Sequence, residues 1–278
     1  MPDETARMRA ARAAAEQGLV RVVHHYGSRP EFVLLGGLMP ELLCSASRYQ
    51  HAGTTDIDVQ VDLEIACGSV HMKRLETALK NAEFSPDAER VWRWRSGGIA
   101  PRTVVKFELL ADLDDQPAEV TVLFDDCDHL GAVNLRGTGY ASRDIETRRI
   151  SARIGGLDQV VDVNVAGLAG FLLAKCAAAR VRRLAKDWYD LAFVLLHNDA
   201  GGPEAAADAV LERFGSQANS AVRSALDDLV ANFSDHRSQG PGAYAAQMRI
   251  DHPDLDAAEL RAEAIVAVET FHRMVTDD

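Results

Sequence analysis

Two aspartates, Asp56 and Asp58, lie two residues apart in a stretch whose polar and apolar residues alternate from 56 to 62. This period of two predicts a β-strand on which both side chains point to the same face, about 7 Å apart along the chain. Two carboxylates on one face of a strand rich in Val and Ile repel each other and lose hydration energy unless a cation lies between them. A hard divalent cation, Mg²⁺ or Mn²⁺, is the ion that such oxygen ligands favour.

A pair of glycines, Gly36 and Gly37, precedes these aspartates. The pair follows the apolar run 32–35, which predicts a buried strand, and precedes a predicted helix that begins at Leu38 and takes Pro40 in its first turn. Residues without a Cβ at the start of a helix let a phosphate approach the backbone N–H groups. A Gly-Gly pair is also a common plain turn, and an Asp-x-Asp pair is often a solvated strand edge. Their combination predicts a site for a metal-bound nucleoside triphosphate (NTP).

The order of these motifs is similar to that of a known superfamily. Gly-Gly followed after a short interval by Thr54, Thr55 and Asp-Ile-Asp-Val resembles the first motif of the DNA-polymerase-β-like nucleotidyltransferases. Further along, Lys175 and the segment 186–191 (Lys-Asp-Trp-Tyr-Asp-Leu) resemble the AbiEii/MenT branch, the nucleotidyltransferase toxins of bacterial toxin–antitoxin systems. The resemblance covers about residues 30–198.

The resemblance implies a fold, a reaction and a set of site residues. It implies an α/β (α+β) polymerase-β-like core with a short mixed sheet over residues 1–165, followed by an all-helical C-terminal domain over residues 166–278. The implied reaction transfers a nucleoside monophosphate from an NTP to a hydroxyl group, with Mg²⁺ or Mn²⁺ as cofactor and pyrophosphate as the leaving group. The residues assigned in this way are Asp56 and Asp58 for the metal ions, Gly36 and Gly37 for the phosphates, and Thr54 or Thr55 for an additional hydroxyl donor.

A glutamate is embedded in the next predicted strand, 103–112, where Lys106 and Glu108 share one face. A carboxylate in such a strand needs a cationic partner or a metal ion. The resemblance implies a third metal-binding carboxylate on a strand beside the Asp-x-Asp strand, and Glu108 is the candidate. A same-face ion pair between Lys106 and Glu108 is the alternative.

Two predicted helices carry the remaining candidates. In the helix 167–183, Lys175 lies beside an apolar face, so its ammonium group either extends to solvent or is held by a negative group. The resemblance implies that it neutralises charge on the triphosphate. In the next helix, Asp187 and Asp190 share a face near the helix start, where the helix dipole favours acidic residues. The resemblance implies one essential aspartate here; Asp187 is favoured, to orient Lys175 or a substrate hydroxyl, and Asp190 stays open.

Three further features have two interpretations each. In the segment 90–95, Trp92 and Trp94 share a strand face and form either a surface for base stacking or part of the core. The run 143–153 contains four arginines and is either a solvated edge or a path for a phosphate backbone. His51 is either an ordinary loop residue or takes the place of an arginine that many relatives carry before the aspartates.

Composition narrows the class of protein. At 278 residues, 47% hydrophobic and 26% charged, the sequence has the composition of an ordinary globular protein. No apolar run approaches the ~20 residues of a membrane span, and the N-terminal residues 1–15 predict an amphipathic helix and not a targeting segment. Four widely spaced cysteines argue against a zinc site and for a reducing, cytoplasmic setting. No membrane partner is expected.

The formal charge of −12 argues at first against a nucleic-acid partner, but its distribution weakens that objection. Residues 199–278 contain 15 acidic and 6 basic residues, whereas residues 141–186 contain 9 basic and 4 acidic residues. The resemblance to the MenT toxins implies the 3′ end of tRNA as acceptor and a cognate antitoxin as a partner. A small-molecule acceptor, as in aminoglycoside nucleotidyltransferases, and a non-catalytic binding module with the same fold are the alternatives.

Overall fold

The computed structural model describes residues 9–61, 70–97, 103–215 and 222–276. The chain divides into two compact units. It passes from the first unit to the second after Met39, returns at Gly53, and leaves the first unit again after Ala166. Residues 1–8 of the predicted N-terminal helix and residue 62 at the end of the predicted strand 56–62 lie outside the described residues.

The helices and strands alternate in the first unit and give way to helices in the second. In chain order the strands are β1 (Val33–Leu35), β2 (Asp56–Gln60), β3 (Ser85–Pro86), β4 (Arg93–Gly97), β5 (Val104–Ala111), β6 (Thr121–Leu123), β7 (Gly131–Asn134), β8 (Ile145–Ile154) and β9 (Leu157–Ala166). The α-helices are α1 (Arg9–Tyr26), α2 (Met39–Leu43), α3 (Val70–Asn81), α4 (Leu168–Arg182), α5 (Ala185–His197), α6 (Pro203–Phe214), α7 (Arg223–Asn232), α8 (Gln239–Asp251) and α9 (Ala257–Thr276). Short 3₁₀ helices are formed by Gly36–Leu38 and Thr138–Arg143.

The strands of the first unit join in one mixed sheet of order β3-β4-β5-β2-β1-β9-β8, and β7 connects β6 to the end of β5. The pairs β2–β5, β1–β9 and β5–β7 are parallel. The pairs β1–β2, β3–β4, β4–β5, β6–β7 and β8–β9 are antiparallel. The α/β class and the mixed sheet predicted from the sequence are therefore confirmed.

One face of the central strands is apolar and buried beneath helix α1. Ile57 on β2, Phe107 on β5 and Trp94 on β4 are each 0% exposed. Gly18 of α1 lies close to this face, because a Cβ at its position would be 3.3 Å from the Ile57 side chain. Since side chains alternate along a strand, Asp56 and Asp58 point to the opposite face of the sheet.

A hairpin of β8 and β9 closes one side of the sheet and is longer than the sequence analysis indicated. The apolar residues of 160–165 predict one short strand here, whereas β8 and β9 each contain ten residues. Gly155 and Gly156 connect them with φ angles of +58° and +86°. Two consecutive residues with positive φ form the turn that matches the twist of a two-residue hairpin, so this Gly-Gly pair was a readable signal. The arginine run therefore lies largely on β8.

The second unit buries large aromatic side chains between its helices. Trp188, Tyr189 and Phe193 of α5 are at most 2% exposed, as are Tyr244 of α8 and Phe271 of α9. Within the described residues after Ala166, this unit contains helices and no strand, as the sequence predicts. No described helix is both long and apolar enough to cross a membrane.

The segment Pro40–Ala52 belongs to this helical unit through polar contacts. The Asp199 carboxylate accepts hydrogen bonds from the backbone N–H groups of Ser45 at 3.0 Å and Ala46 at 2.8 Å. The Tyr189 hydroxyl accepts one from the Ala52 N–H at 3.0 Å. These contacts join residues about 140 to 150 positions apart, which no local sequence pattern encodes.

The Gly-Pro-Gly segment 240–242 has a composition that predicts a break in the helical pattern, but the structure shows none there. It lies in the first turn of α8, where a proline has no intrahelical N–H to satisfy. The interruption precedes it, between Asn232 and Gln239. A Cβ at Gly240 would lie 2.2 Å from the Phe233 ring, whereas a Cβ at Gly242 would meet nothing within 4 Å.

This difference generates a stability prediction. Gly240→Ala should lower the free energy of unfolding by about 1–3 kcal/mol, because the Phe233 ring or the helix must shift to admit the methyl group. The matched variant Gly242→Ala should be neutral or stabilising by up to about 1 kcal/mol, because alanine favours helices. Urea denaturation of both variants measures this, and equal effects would show that Phe233 does not pack against Gly240.

Candidate functional site

Three carboxylates lie together on the polar face of the sheet. In the parallel pair of β2 and β5, Asp58 stands opposite Glu108, and Asp56 stands opposite Lys106. Paired residues on neighbouring strands share a face and are about 4.8 Å apart in the hydrogen-bonding direction. The predicted metal ligands Asp56, Asp58 and Glu108 are thus brought to one place by the strand register.

The glycine pair lies directly against the same row of side chains. β1 runs antiparallel to β2 with Leu35 opposite Asp58, and Gly36 follows with a φ of +77°. A Cβ on Gly36 would be 1.9 Å from Oδ2 of Asp58, and one on Gly37 would be 2.9 Å from Oγ1 of Thr54. Only glycine combines the positive φ with this close approach, so the backbone meets the Asp58 carboxylate without an intervening side chain.

The two threonines contact Asp56. Oγ1 of Thr54 accepts a hydrogen bond from the Asp56 N–H at 3.1 Å. The Thr55 hydroxyl donates one to Oδ1 of Asp56 at 3.4 Å. Both residues therefore help to fix the first aspartate, a function that the sequence analysis did not assign to them.

Two cationic side chains already accompany the carboxylates. Nζ of Lys106 lies 3.0 Å from Oδ1 of Asp56. Nε of Arg93, from β4, lies 2.5 Å from Oε1 of Glu108. The alternative ion pair predicted between Lys106 and Glu108 is wrong, because the register places Lys106 opposite Asp56. The pairing of Arg93 with Glu108 was missed, since alternation gives the face of a strand but not its partner.

The pKa of Glu108 is raised to about 7. Burial is the main cause, the negative charge of Asp58 adds to it, and the Arg93 guanidinium opposes both. A carboxyl group with a pKa near neutrality exchanges its proton readily at physiological pH. Such a group is suited to general acid–base chemistry.

The donor atoms of this face are of the kind that a hard divalent cation prefers, but they are not arranged around one. Carboxylate oxygens are the donors that Mg²⁺ and Mn²⁺ prefer. Because Gly36 has no Cβ, its backbone lies directly beside the Asp58 carboxylate. Among the described residues, no group of three or more His, Cys, Asp or Glu side chains is gathered around a common point at which an ion would sit. Lys106 and Arg93 instead hold two of the carboxylates.

A second polar cluster lies within the helical unit around Lys175. Its side chain is 6% exposed, and its Nζ is 2.8 Å from Oδ1 of Asp187 and 2.6 Å from Oδ2 of Asp190. Burial alone would lower the pKa of Lys175, but the two carboxylates outweigh burial and hold the pKa above its usual value. Both aspartates of α5 therefore contact the lysine, and the negative group that the sequence analysis required for Lys175 is present within the chain.

The same cluster extends to His51 and Arg182. Nε2 of His51 lies 2.9 Å from Oδ1 of Asp190, and both side chains are 0% exposed. Arg182 donates a hydrogen bond to Oδ1 of Asp187 at 3.0 Å. Burial would raise the pKa of Asp187, but Lys175 and Arg182 hold it below its usual value. His51 is thus a buried partner of Asp190 and not an ordinary loop residue.

The sequence was compared with known proteins. No protein-family model matches this chain, and no curated protein matches it. The assignment of a function therefore depends on the residues and geometry described above and on the resemblance of the sequence motifs.

Of the two interpretations of the tryptophans, the surface for base stacking is wrong for Trp94. Trp94 is 0% exposed and belongs to the core, so it offers no surface for a base. The Trp92 ring is half-buried and is covered by the guanidinium groups of Arg90 at 5.5 Å and Arg93 at 4.9 Å.

On β8, Arg148 of the arginine run 143–153 pairs with Glu146 at 2.7 Å.

The raised pKa of Glu108 predicts a specific pH dependence of stability. The unfolded chain releases this proton near the ordinary value of 4.5 and the folded protein near 7, so ionisation in this window removes stability as the pH rises. Glu108→Gln abolishes the titration. The quantity to compare is the free energy of unfolding of Glu108→Gln minus that of wild type. This difference should be larger at pH 8 than at pH 4.5, by on the order of 2 kcal/mol.

Urea denaturation at the two pH values measures this difference. The exposed Glu89→Gln variant is the control, because it makes the same substitution on the surface of the same unit. A difference between Glu108→Gln and wild type that is the same at both pH values would contradict the prediction.

The Lys175 cluster predicts a large loss of stability when the lysine is removed. Lys175→Met should cost about 3–5 kcal/mol, because it leaves two buried carboxylates without their shared cation. Arg182→Met is the matched control: its side chain contacts the same Asp187 but is 38% exposed, so it should cost less than about 1 kcal/mol. Thermal or urea unfolding measures both, and equal losses would show that Lys175 does not hold the cluster together.

Proposed function

We propose that this protein is a metal-dependent nucleotidyltransferase that transfers a nucleoside monophosphate from an NTP to a hydroxyl acceptor. The observation that carries the proposal is the register of β1, β2 and β5. It aligns Asp56, Asp58 and Glu108 on one face and brings Gly36 against the Asp58 carboxylate. A polymerase-β-like core is the fold that the proposal assigns to the first unit.

The carboxylates would hold the metal ions. Asp56 and Asp58 are assigned to two divalent cations and Glu108 to the one nearer the acceptor. Bound Mg²⁺ or Mn²⁺ would supply positive charge for the attacking and leaving oxygens of an in-line phosphoryl displacement. Thr54 and Thr55 keep Asp56 in place through their hydrogen bonds. Glu108, beside the cation nearer the acceptor, is assigned to help take the proton from the acceptor hydroxyl.

The glycine pair is assigned to the triphosphate. Gly36 and Gly37 begin a 3₁₀ helix, Gly36–Leu38, and carry no side chain that would keep a phosphate from their N–H groups. The resemblance assigns Lys175 to the charge of the triphosphate and Asp187 to the orientation of Lys175, whereas in this structure the Lys175 ammonium group is already held by Asp187 and Asp190. The contact of 2.8 Å between Lys175 and Asp187 supports the second assignment.

The acceptor proposed for this reaction is the 3′ end of tRNA, and the protein would act as the toxin of a toxin–antitoxin system. The support is the resemblance of the Lys175 and 186–191 motifs to the AbiEii/MenT branch; the excess of basic residues between 141 and 186 is compatible with this acceptor but does not demand it. A cognate antitoxin is the protein partner that this assignment implies.

The reaction is tested by incubating the protein with Mg²⁺, each of the four labelled NTPs in turn, and total tRNA. We expect label in tRNA with at least one NTP. Asp58→Asn should reduce the rate by on the order of a thousandfold, because it weakens the hold on the metal ions. Asp114→Asn, which changes an aspartate with a fully exposed side chain in the same unit, should leave the rate unchanged.

Two results would contradict the proposal. Unlabelled tRNA with all four NTPs would overturn the tRNA assignment, and labelling of an aminoglycoside under the same conditions would replace it with a small-molecule acceptor. Full labelling by Asp58→Asn would remove the carboxylate row from the mechanism.

A further inference from the structure

Lys106 occupies a particular position within the carboxylate row. It stands opposite Asp56 in the β2–β5 register, and its ammonium group is 3.0 Å from Oδ1 of Asp56. The side chain is 33% exposed, so its end reaches solvent. A primary ammonium group on a flexible four-carbon chain moves at low cost in strain, in contrast to the planar guanidinium of Arg93, which is 13% exposed and bound to Glu108.

We propose that Lys106 is an internal counter-ion of Asp56 that a divalent cation must displace, and that Lys106 thereby sets the affinity of the site for metal. This inference rests on the proposed function in one respect, the assignment of Asp56 as a metal ligand. It goes beyond that assignment because it gives Lys106 a role that the sequence motifs do not contain.

The physical basis is competition for one carboxylate oxygen. An ammonium group 3.0 Å from Oδ1 of Asp56 lies in the space that a cation bound to that oxygen would occupy. The two positive charges also repel each other at this separation in a partly buried site. Metal binding at Oδ1 of Asp56 therefore requires the Lys106 ammonium to leave, and the cost of breaking the ion pair is subtracted from the affinity of the metal.

The same face of the sheet provides a matched control. Arg95 of β4 stands opposite Lys106 in the β4–β5 register, so it lies on the same face and carries the same charge. It forms an ion pair with Asp87 at 2.5 Å instead, and its side chain is 51% exposed. Replacing Arg95 changes the charge of the face by the same amount as replacing Lys106, but leaves the ion pair between Lys106 and Asp56 in place.

The test is the binding of Mn²⁺ alone, without nucleotide, measured by electron paramagnetic resonance of free Mn²⁺ or by isothermal titration calorimetry. Lys106→Met should bind Mn²⁺ about tenfold more tightly than wild type, because no ammonium group competes for Asp56. Lys106→Arg, which keeps the charge, and Arg95→Met should both bind within about twofold of wild type. In the double variant Asp56→Asn/Lys106→Met the gain should be lost.

The outcomes separate this inference from the proposed function. Equal Mn²⁺ affinity in wild type and Lys106→Met overturns the role of Lys106 and leaves the metal site standing. An equal gain in Lys106→Met and Arg95→Met overturns it as well, because the effect is then one of total charge. Mn²⁺ binding to neither wild type nor Lys106→Met contradicts the metal site itself. Tighter binding by Lys106→Met alone, lost with Asp56→Asn, supports the inference.

Discussion

Electrostatic repulsion between neighbouring carboxylates is the constraint on which the first unit depends. The parallel pairing of β2 and β5 aligns Asp58 with Glu108 on a face whose reverse side is a packed apolar core. The register cannot slip by one residue without burying the acidic groups, because every side chain would change face. The structure offsets the repulsion with Lys106 on Asp56 and Arg93 on Glu108. Burial, with the charge of Asp58 added to it, still raises the pKa of Glu108.

The glycine pair, Gly36 and Gly37, brings backbone close to the same row of carboxylates. The proposed function requires oxygen ligands for a metal ion and backbone N–H groups for a phosphate. The antiparallel pairing of β1 and β2 places Gly36 beside Asp58, and the missing Cβ allows the backbone to approach the carboxylate. In the helical unit the charges are arranged differently: Lys175 is enclosed by Asp187 and Asp190, so its positive charge is matched by two negative ones inside the protein.

The sequence was sufficient for the elements with strong periodicity. The helix that became α4 and the strands that became β2 and β5 follow from local patterns of apolar residues and were predicted close to their observed bounds. The elements that were missed are short or edge strands such as β3 and β7, and the strand β8, whose arginines obscured its alternation. β3 has two residues and β7 has four, too few to show a period of two, and all three strands are stabilised by pairing with neighbouring strands.

By itself, the sequence determined which residues share a face: Asp56 with Asp58, and Lys106 with Glu108, since alternation is a property of a single strand. Only the tertiary structure decided the partners. Strand register paired Lys106 with Asp56 and left Glu108 to Arg93, and helix packing joined His51 to Asp190 across 139 positions of the chain. The physical reason is that side-chain direction follows from the local backbone, whereas ion pairs and buried hydrogen bonds depend on which distant segments are brought within about 3 Å of each other.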